Sequence, residues 1–307
     1  MAFSPTDAAF EGFRLTREKP LVIVYWGVAS LLISLATAVL MVTLIGPDMA
    51  AITQMGQSSD PEAVLAMAPV MGKLYGLTIP LSLITSAIFT CAAYRALLRP
   101  QDSAFGYLRF GADELRMILL FFVLTLLFIA VLAGALVLLA LIVAGLSFAF
   151  GGGGGGTAAA GALGGVIGFL LVLGVGAFFF VRMSLAAPMT FSERRLAIAP
   201  AWRMTRGRFW PLLGAYFLAW VLALVVVLLG FAIVVAIIAA IWGLQAIGQV
   251  TSPDFSSLAA YFTPAMGLSL LISGFLSALQ YAIVLSPPAV AYRELSATDR
   301  GGAETFA

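Results

Sequence analysis

Residues 211–244 read PLLGAYFLAWVLALVVVLLGFAIVVAIIAAIWGL, a run without one charged side chain. As an α-helix this stretch would extend about 51 Å, whereas the hydrocarbon core of a bilayer is about 30 Å thick. Five further stretches also reach the length of about 20 apolar residues that a membrane span requires. The six predicted spans are 21–45, 74–98, 117–147, 163–187, 211–244 and 265–291. The sequence therefore predicts an all-α, polytopic membrane helix bundle, with residues 1–307 as a single domain.

The composition of the whole chain agrees with a membrane protein and excludes several classes of function. Of the 307 residues, 62% are hydrophobic and 10% are charged, and the mean hydropathy is +1.09. The net charge of +2 is too small for the basic surface of a nucleic-acid-binding protein. With no histidine and one cysteine, the chain lacks the residues for His-based triads, His-ligated metals or CxxC redox pairs. We therefore expect no catalytic residue, no metal, no cofactor and no nucleic-acid partner.

The positions of the basic residues predict the orientation. Six spans put both termini on one side of the membrane, and Lys73 is the only basic residue of the opposite loops. The terminal side has the other 15 of the 16 Lys and Arg residues: Arg14, Arg17, Lys19, Arg95, Arg99, Arg109, Arg116, Arg182, Arg194, Arg195, Arg203, Arg206, Arg208, Arg293 and Arg300. Because positive charge collects in cytoplasmic flanks, both termini are predicted to be cytoplasmic. The preference for Arg over Lys favours a GC-rich bacterial genome and hence the inner membrane.

The first span is predicted to stay in the mature chain. It is longer than the apolar segment of a signal peptide, and Asp7, Glu11 and Glu18 precede it, where a signal peptide would be basic.

Short motifs at the span ends indicate three similar hairpins. Each odd-numbered span follows a basic, aromatic stretch, and each even-numbered span ends with an arginine. The entry motifs are FRLTR (13–17), GYLRF (106–110) and WRMTR (202–206), and the exit motifs are AYRAL (93–97), VRMSL (181–185) and AYREL (291–295). Such short matches also arise by chance, but their placement agrees with the topology.

The entry stretches are predicted to be short amphipathic helices in the membrane interface. Ser4 can cap the first, in which Asp7, Glu11, Arg14 and Glu18 form a polar stripe opposite Ala9, Phe10 and Phe13. Asp102 or Ser103 can start the second, which would end at Gly111. Pro200 can start the third, which would end at Gly207.

These helices have two interpretations. They either anchor the bundle in the membrane or form a collar that binds lipid or a partner. The candidate headgroup contacts are Arg182, Arg194, Arg195, Trp202, Arg203, Arg206, Arg208 and Trp210. Arg95 and Arg182, near the ends of their spans, can either extend outward to water or line a cleft for headgroups.

Within the spans, Gln280 is the most notable polar residue. An unpaired amide in hydrocarbon costs about 2–7 kcal/mol, so we expect Gln280 to bond to a neighbouring helix. A contact to a substrate is the alternative.

Glycine clusters have structural interpretations. The six glycines of 151–156 lack the lysine of a phosphate-binding loop and are typical of a pliable non-cytoplasmic linker. Small residues four apart predict close helix packing within the chain or a homodimer contact. These pairs are Gly161 with Gly165, Gly164 with Gly168, Ser273 with Ser277, and Gly274 with Ala278.

The segments RMSLAAP (182–188), AWRMTRGRFW (201–210) and AYREL (291–295) resemble a bacterial family of six-helix membrane proteins. That family includes the membrane domain attached to some glycerophosphoryl diester phosphodiesterases, together with many stand-alone members. In the fused enzymes catalysis belongs to a separate soluble barrel that uses acidic and histidine residues. The resemblance therefore implies the six-helix fold, no hydrolase activity and no transferred functional residue.

Two classes of function follow, with membrane lipids as the expected partners. The favoured one is a non-enzymatic inner-membrane protein that binds or organises lipid, an unidentified membrane partner or a second copy of itself. The alternative is a permease or channel subunit for a small solute. An enzyme acting on lipid headgroups through Asp, Arg and Tyr is a third, weaker possibility.

Overall fold

The computed structural model describes residues 4–48, 68–149 and 154–305, which contain helices and no β-strand. Six of these helices, α2, α3, α4, α5, α8 and α11, are long and apolar enough to cross a membrane, so the all-α polytopic fold is confirmed. The α-helices are α1 (Pro5–Glu18), α2 (Pro20–Leu44), α3 (Ala68–Leu98), α4 (Ala112–Ala149), α5 (Gly154–Met183), α6 (Ala186–Glu193), α7 (Ile198–Met204), α8 (Phe209–Trp242), α9 (Ile247–Thr251), α10 (Leu258–Tyr261) and α11 (Pro264–Thr305).

The fourth spanning helix differs from its prediction at both ends. Helix α5 begins at Gly154, so part of the glycine run proposed as a linker is helical, while 150–153 lie outside the described residues. The alanines at 158–160 favour this helix. Its other end is Met183, because the chain turns at Ser184 and Leu185 before α6.

Helix α11 is the centre of the bundle. It packs against α2, α3 and α8, and α4 packs on α5 and α3. The pairs α4–α5 and α8–α11 are therefore packed hairpins, whereas α2 and α3 both pack on α11. Pro287 and Pro288 lie within α11 without ending it.

Small residues permit close contacts inside the chain. Gly274 of α11 lies against Leu31 and the Gly27 carbonyl of α2, and a Cβ there would come within 3.1 Å of both. In α5, Gly164 and Gly168 face the side chains of Val143 and Leu139 of α4, whereas Gly161 and Gly165 face open space. Close packing within one chain accounts for the first three glycines.

Helix α1 begins as the sequence predicts but buries a different face. The Asp7 amide donates to the Oγ of Ser4 at 3.4 Å, as an N-cap requires. Glu11, expected on the polar stripe, is 6% exposed and pairs with Arg14 at 2.7 Å.

The buried face of α1 combines the small residues Ala8, Ala9 and Gly12 with Glu11 and Leu15, and it includes neither phenylalanine. Ala8, Ala9 and Gly12 pack against α8 and α11, since small side chains let the helices approach closely. Phe10 and Phe13, 51% and 36% exposed, lie on the outer side instead. Helix α1 therefore packs as part of the bundle and also lies at its outer edge.

Of the other two predicted interfacial helices, only the third forms as an α-helix. Only a short 3-10 turn, Ala104–Tyr107, forms between α3 and α4, because Phe105, Gly106 and Tyr107 have positive φ angles that interrupt an α-helix. The third is α7, which begins at Ile198 and stops before Gly207, whose φ is +78°.

Ring and backbone contacts define one level across the bundle. The Phe89 ring of α3 stacks on Tyr281 of α11 at 4.3 Å, and Gly12 of α1 lies against the adjacent Ala282. We call the part of the bundle beyond this level, which contains both described chain ends, the basic end.

Candidate functional site

Arg182, in the last turn of α5, lies at the basic end beside two aromatic rings, which pack edge-on against each other. Its guanidinium carbon is 4.5 Å from the centre of the Trp202 ring and 5.7 Å from that of Phe178. One terminal nitrogen donates to Thr205 Oγ1 at 3.4 Å, whereas Nε is buried without a hydrogen-bond partner. No Asp or Glu among the described residues pairs with this charge. Cation–π contacts thus hold a guanidinium that retains unused donors.

The local fold fixes this arrangement. Helix α7 lies across the end of α5, and the fully buried Thr205 follows it directly. Thr205 Oγ1 is 3.2 Å from the Arg182 carbonyl oxygen and 3.0 Å from that of Ala201. The hydroxyl therefore links α7 to α5 and keeps Trp202 over the guanidinium.

An apolar groove of about 640 Å³ extends along α4 and α5 from this position. Its walls include Leu127 and Val131 of α4, Gly174 and Phe178 of α5, and Ile198 and Trp202 of α7, and no charged side chain lines it. Two residues of the groove, Phe178 and Trp202, are the rings that contact Arg182. The groove therefore ends at the two rings that contact the guanidinium, although Arg182 itself does not line it.

Three further predicted headgroup contacts around α7, Arg203, Arg206 and Trp210, are exposed. Arg203 and Arg206 make no ion pair with a described residue. Trp210 is 76% exposed and packs edge-on against Phe209. Arg208 differs from these two arginines, because it donates to the Met204 carbonyl at 3.2 Å and thereby helps to end α7.

The structure separates Arg194 and Arg195 from the Arg182 site. Arg195 is exposed and pairs with Glu193 at 2.7 Å. Arg194 ends α6 with φ +55° and lines a polar pocket of about 370 Å³ together with Arg95 and Arg109. The residues that were predicted to form one collar therefore lie on two separate surfaces.

The polar pocket contains a network that the sequence analysis did not find. Arg95, expected to extend outward or line a headgroup cleft, is 5% exposed and bonds to the fully buried Glu114 and the Tyr107 carbonyl. Asp113 is 2.7 Å from Arg116 and 3.6 Å from Arg99. The sequence signal was the acidic pair at the start of α4, which faces the arginines at the end of α3. These ion pairs neutralise much of the pocket and join the two helices.

Gln280 does not make the predicted interhelical hydrogen bond. Its side chain is exposed and has no hydrogen-bond partner among the described residues. The buried face of α11 includes Ala278 and Ala282, and position 280 lies about 200° around the helix from Ala278. The exposed amide therefore points away from the packed face of α11.

Comparisons with protein-family models, curated proteins and solved structures find no match for this chain.

Proposed function

We propose that this chain is a non-enzymatic, multi-pass protein of a bacterial inner membrane that binds anionic phospholipids at its basic end. The observation that carries this proposal is the Arg182 guanidinium, which forms no ion pair with a described residue and contacts the rings of Phe178 and Trp202 at the end of the apolar groove. The groove suits one acyl chain, and the guanidinium suits the phosphate of the same molecule. A phosphate beside the partly exposed guanidinium would supply the missing counter-charge.

Surrounding residues support an anionic rather than a neutral headgroup at this site. Arg203 and Arg206 add exposed positive charge along α7, and each basic residue contributes about 1 kcal/mol at an anionic surface. The exposed indole of Trp210 suits the headgroup region. Such a site would retain lipid without any catalytic group.

Lipid retention by two independent variants tests the proposal. The chain, extracted in mild detergent, is compared by native mass spectrometry with Arg182→Gln and with Gly174→Leu, which fills open space in the groove. The expected result is at least about a fivefold loss of bound phosphatidylglycerol in either variant. Arg195→Gln is the matched control, since Arg195 is exposed and paired with Glu193. Unchanged retention in both test variants would refute the site.

We further propose that the basic end faces the cytoplasm, on the basis of the 15-to-1 division of Lys and Arg. Cys91 is the only native cysteine and is buried, so introduced cysteines report their own positions. Gly153→Cys should react with an impermeant maleimide in intact cells, and Ser296→Cys should react only after lysis. The reverse pattern would overturn the orientation.

A further inference from the structure

A second cleft, of about 620 Å³, lies between α3, α4, α5 and α11. Phe179 and Met183 border both this cleft and the Arg182 groove. The wall formed by α3 presents four hydroxyl side chains at intervals of four residues: Ser82, Ser86, Thr90 and Tyr94. Side chains four apart share one helix face, so these hydroxyls form a row about 18 Å long.

Several of these hydroxyls have no partner although they lie in apolar surroundings. Thr90 and Tyr94 are 3% and 2% exposed, and their hydroxyls form no hydrogen bond with any described residue. Ser86 of α3 and Thr125, which faces the cleft from α4, also form no hydrogen bond with a described residue, but both are exposed. By contrast, Thr78 of α3 donates to the Leu74 carbonyl at 2.8 Å, the usual arrangement for a helical threonine. The hydroxyl oxygens of Thr90 and Tyr94 are not among the fully enclosed unpaired atoms of the described residues, so they open onto the cleft, where a ligand would supply the missing hydrogen-bond partner.

The remaining walls of the cleft are apolar and uncharged. Phe121 and Phe128 of α4, Phe180 of α5 and Leu285 of α11 line it, and its lining contains no Asp, Glu, Lys or Arg. A charged headgroup would lose its hydration there without gaining a counter-charge. The site therefore differs in chemistry from the Arg182 groove.

The position of the cleft along α3 orients its occupant. Tyr94 lies on the basic-end side of the Phe89–Tyr281 stack, and Ser82 lies on the opposite side of it. A polar group at Thr90 and Tyr94 would be toward the basic end, with a hydrocarbon chain extending toward Phe128.

We propose that this cleft binds an uncharged amphiphile of the acylglycerol class. The glycerol hydroxyl and ester oxygens pair with the hydroxyls of Thr90 and Tyr94, and the acyl chain packs on the phenylalanines. This inference goes beyond the proposed binding of anionic lipid and uses different residues.

A matched pair of ligands separates the two sites. Monooleoylglycerol and oleoyl lysophosphatidate have the same chain and glycerol but differ in the phosphate, and each is titrated onto the full chain in detergent by native mass spectrometry. The wild type should bind monooleoylglycerol saturably. Thr90→Val combined with Tyr94→Phe should weaken that binding roughly tenfold, as the loss of two hydrogen bonds predicts. Thr78→Val is the control, and Arg182→Gln should leave this binding unchanged.

The melting temperature distinguishes a binding role from a structural one. Since the two hydroxyls are unpaired, their removal should leave the melting temperature equal or higher while affinity falls. Absence of saturable monooleoylglycerol binding in the wild type would overturn the proposal. So would equal affinity in wild type and the double variant, or a parallel loss of lysophosphatidate binding.

Discussion

Gly12 of α1 lies directly against the backbone of Ala282 in α11, so close that a Cβ at position 12 would overlap the Ala282 carbonyl. Gly12→Val should therefore displace α1 and lower the free energy of unfolding by about 1–3 kcal/mol. Thermal unfolding in detergent measures the effect. Gly76→Val in α3, where nothing lies within 4 Å, is the control. Equal melting temperatures for the two variants would contradict this packing.

A second prediction concerns the buried ion pair of Arg95 and Glu114. Glu114→Gln leaves the Arg95 charge buried with Asp113 3.9 Å away, and the expected loss is about 3 kcal/mol or somewhat less. Glu193→Gln breaks an exposed pair and should cost less than about 1 kcal/mol. Denaturant unfolding of both variants tests the difference, and similar losses would mean that the buried pair is not a structural link.

Gly106 combines backbone strain with a tight contact. Its φ is +64°, and a Cβ there would lie 2.6 Å from the Cβ of Tyr25. Gly106→Ala should also disturb the 2.7 Å hydrogen bond from Trp26 Nε1 to the Gly106 carbonyl. Gly207→Ala has similar strain, with φ +78°, but open space around it. The melting temperature should fall further for Gly106→Ala than for Gly207→Ala. A larger fall for Gly207→Ala would show that backbone strain alone, and not the contact with Tyr25, determines the loss of stability.

Gln280→Leu should be nearly neutral for folding. The side chain is exposed and bonds to no described residue, so the free energy of unfolding should change by no more than about 0.5 kcal/mol. A large drop in melting temperature would mean that Gln280 has a buried role in the membrane. Lipid retention measured on the same sample should also equal that of the wild type.

The amino-acid sequence is sufficient to predict which segments span the membrane and that successive spans alternate in direction. Apolar stretches of 20 residues or more can satisfy their backbone in hydrocarbon only as helices, which requires no knowledge of neighbouring segments. Local chemistry also determined the start of α1, because Ser4 and Pro5 act within the first helical turn. The unequal division of Lys and Arg between the two sides of the membrane, which predicts the orientation, likewise follows from the sequence.

The packing faces of the spanning helices can be identified only from the folded chain. The same is true of the arginines whose guanidinium groups retain unused hydrogen-bond donors. The spans are apolar on nearly every side, so periodicity does not reveal the packing face of α11 or its place between α2 and α3. Arg95 and Arg182 occupy similar positions at the ends of their helices. One meets Glu114 and the other meets Trp202, because the following segments fold back differently. The hydroxyl row of α3 was visible in the sequence at four-residue spacing, but the cleft that it lines exists only when four helices converge on it.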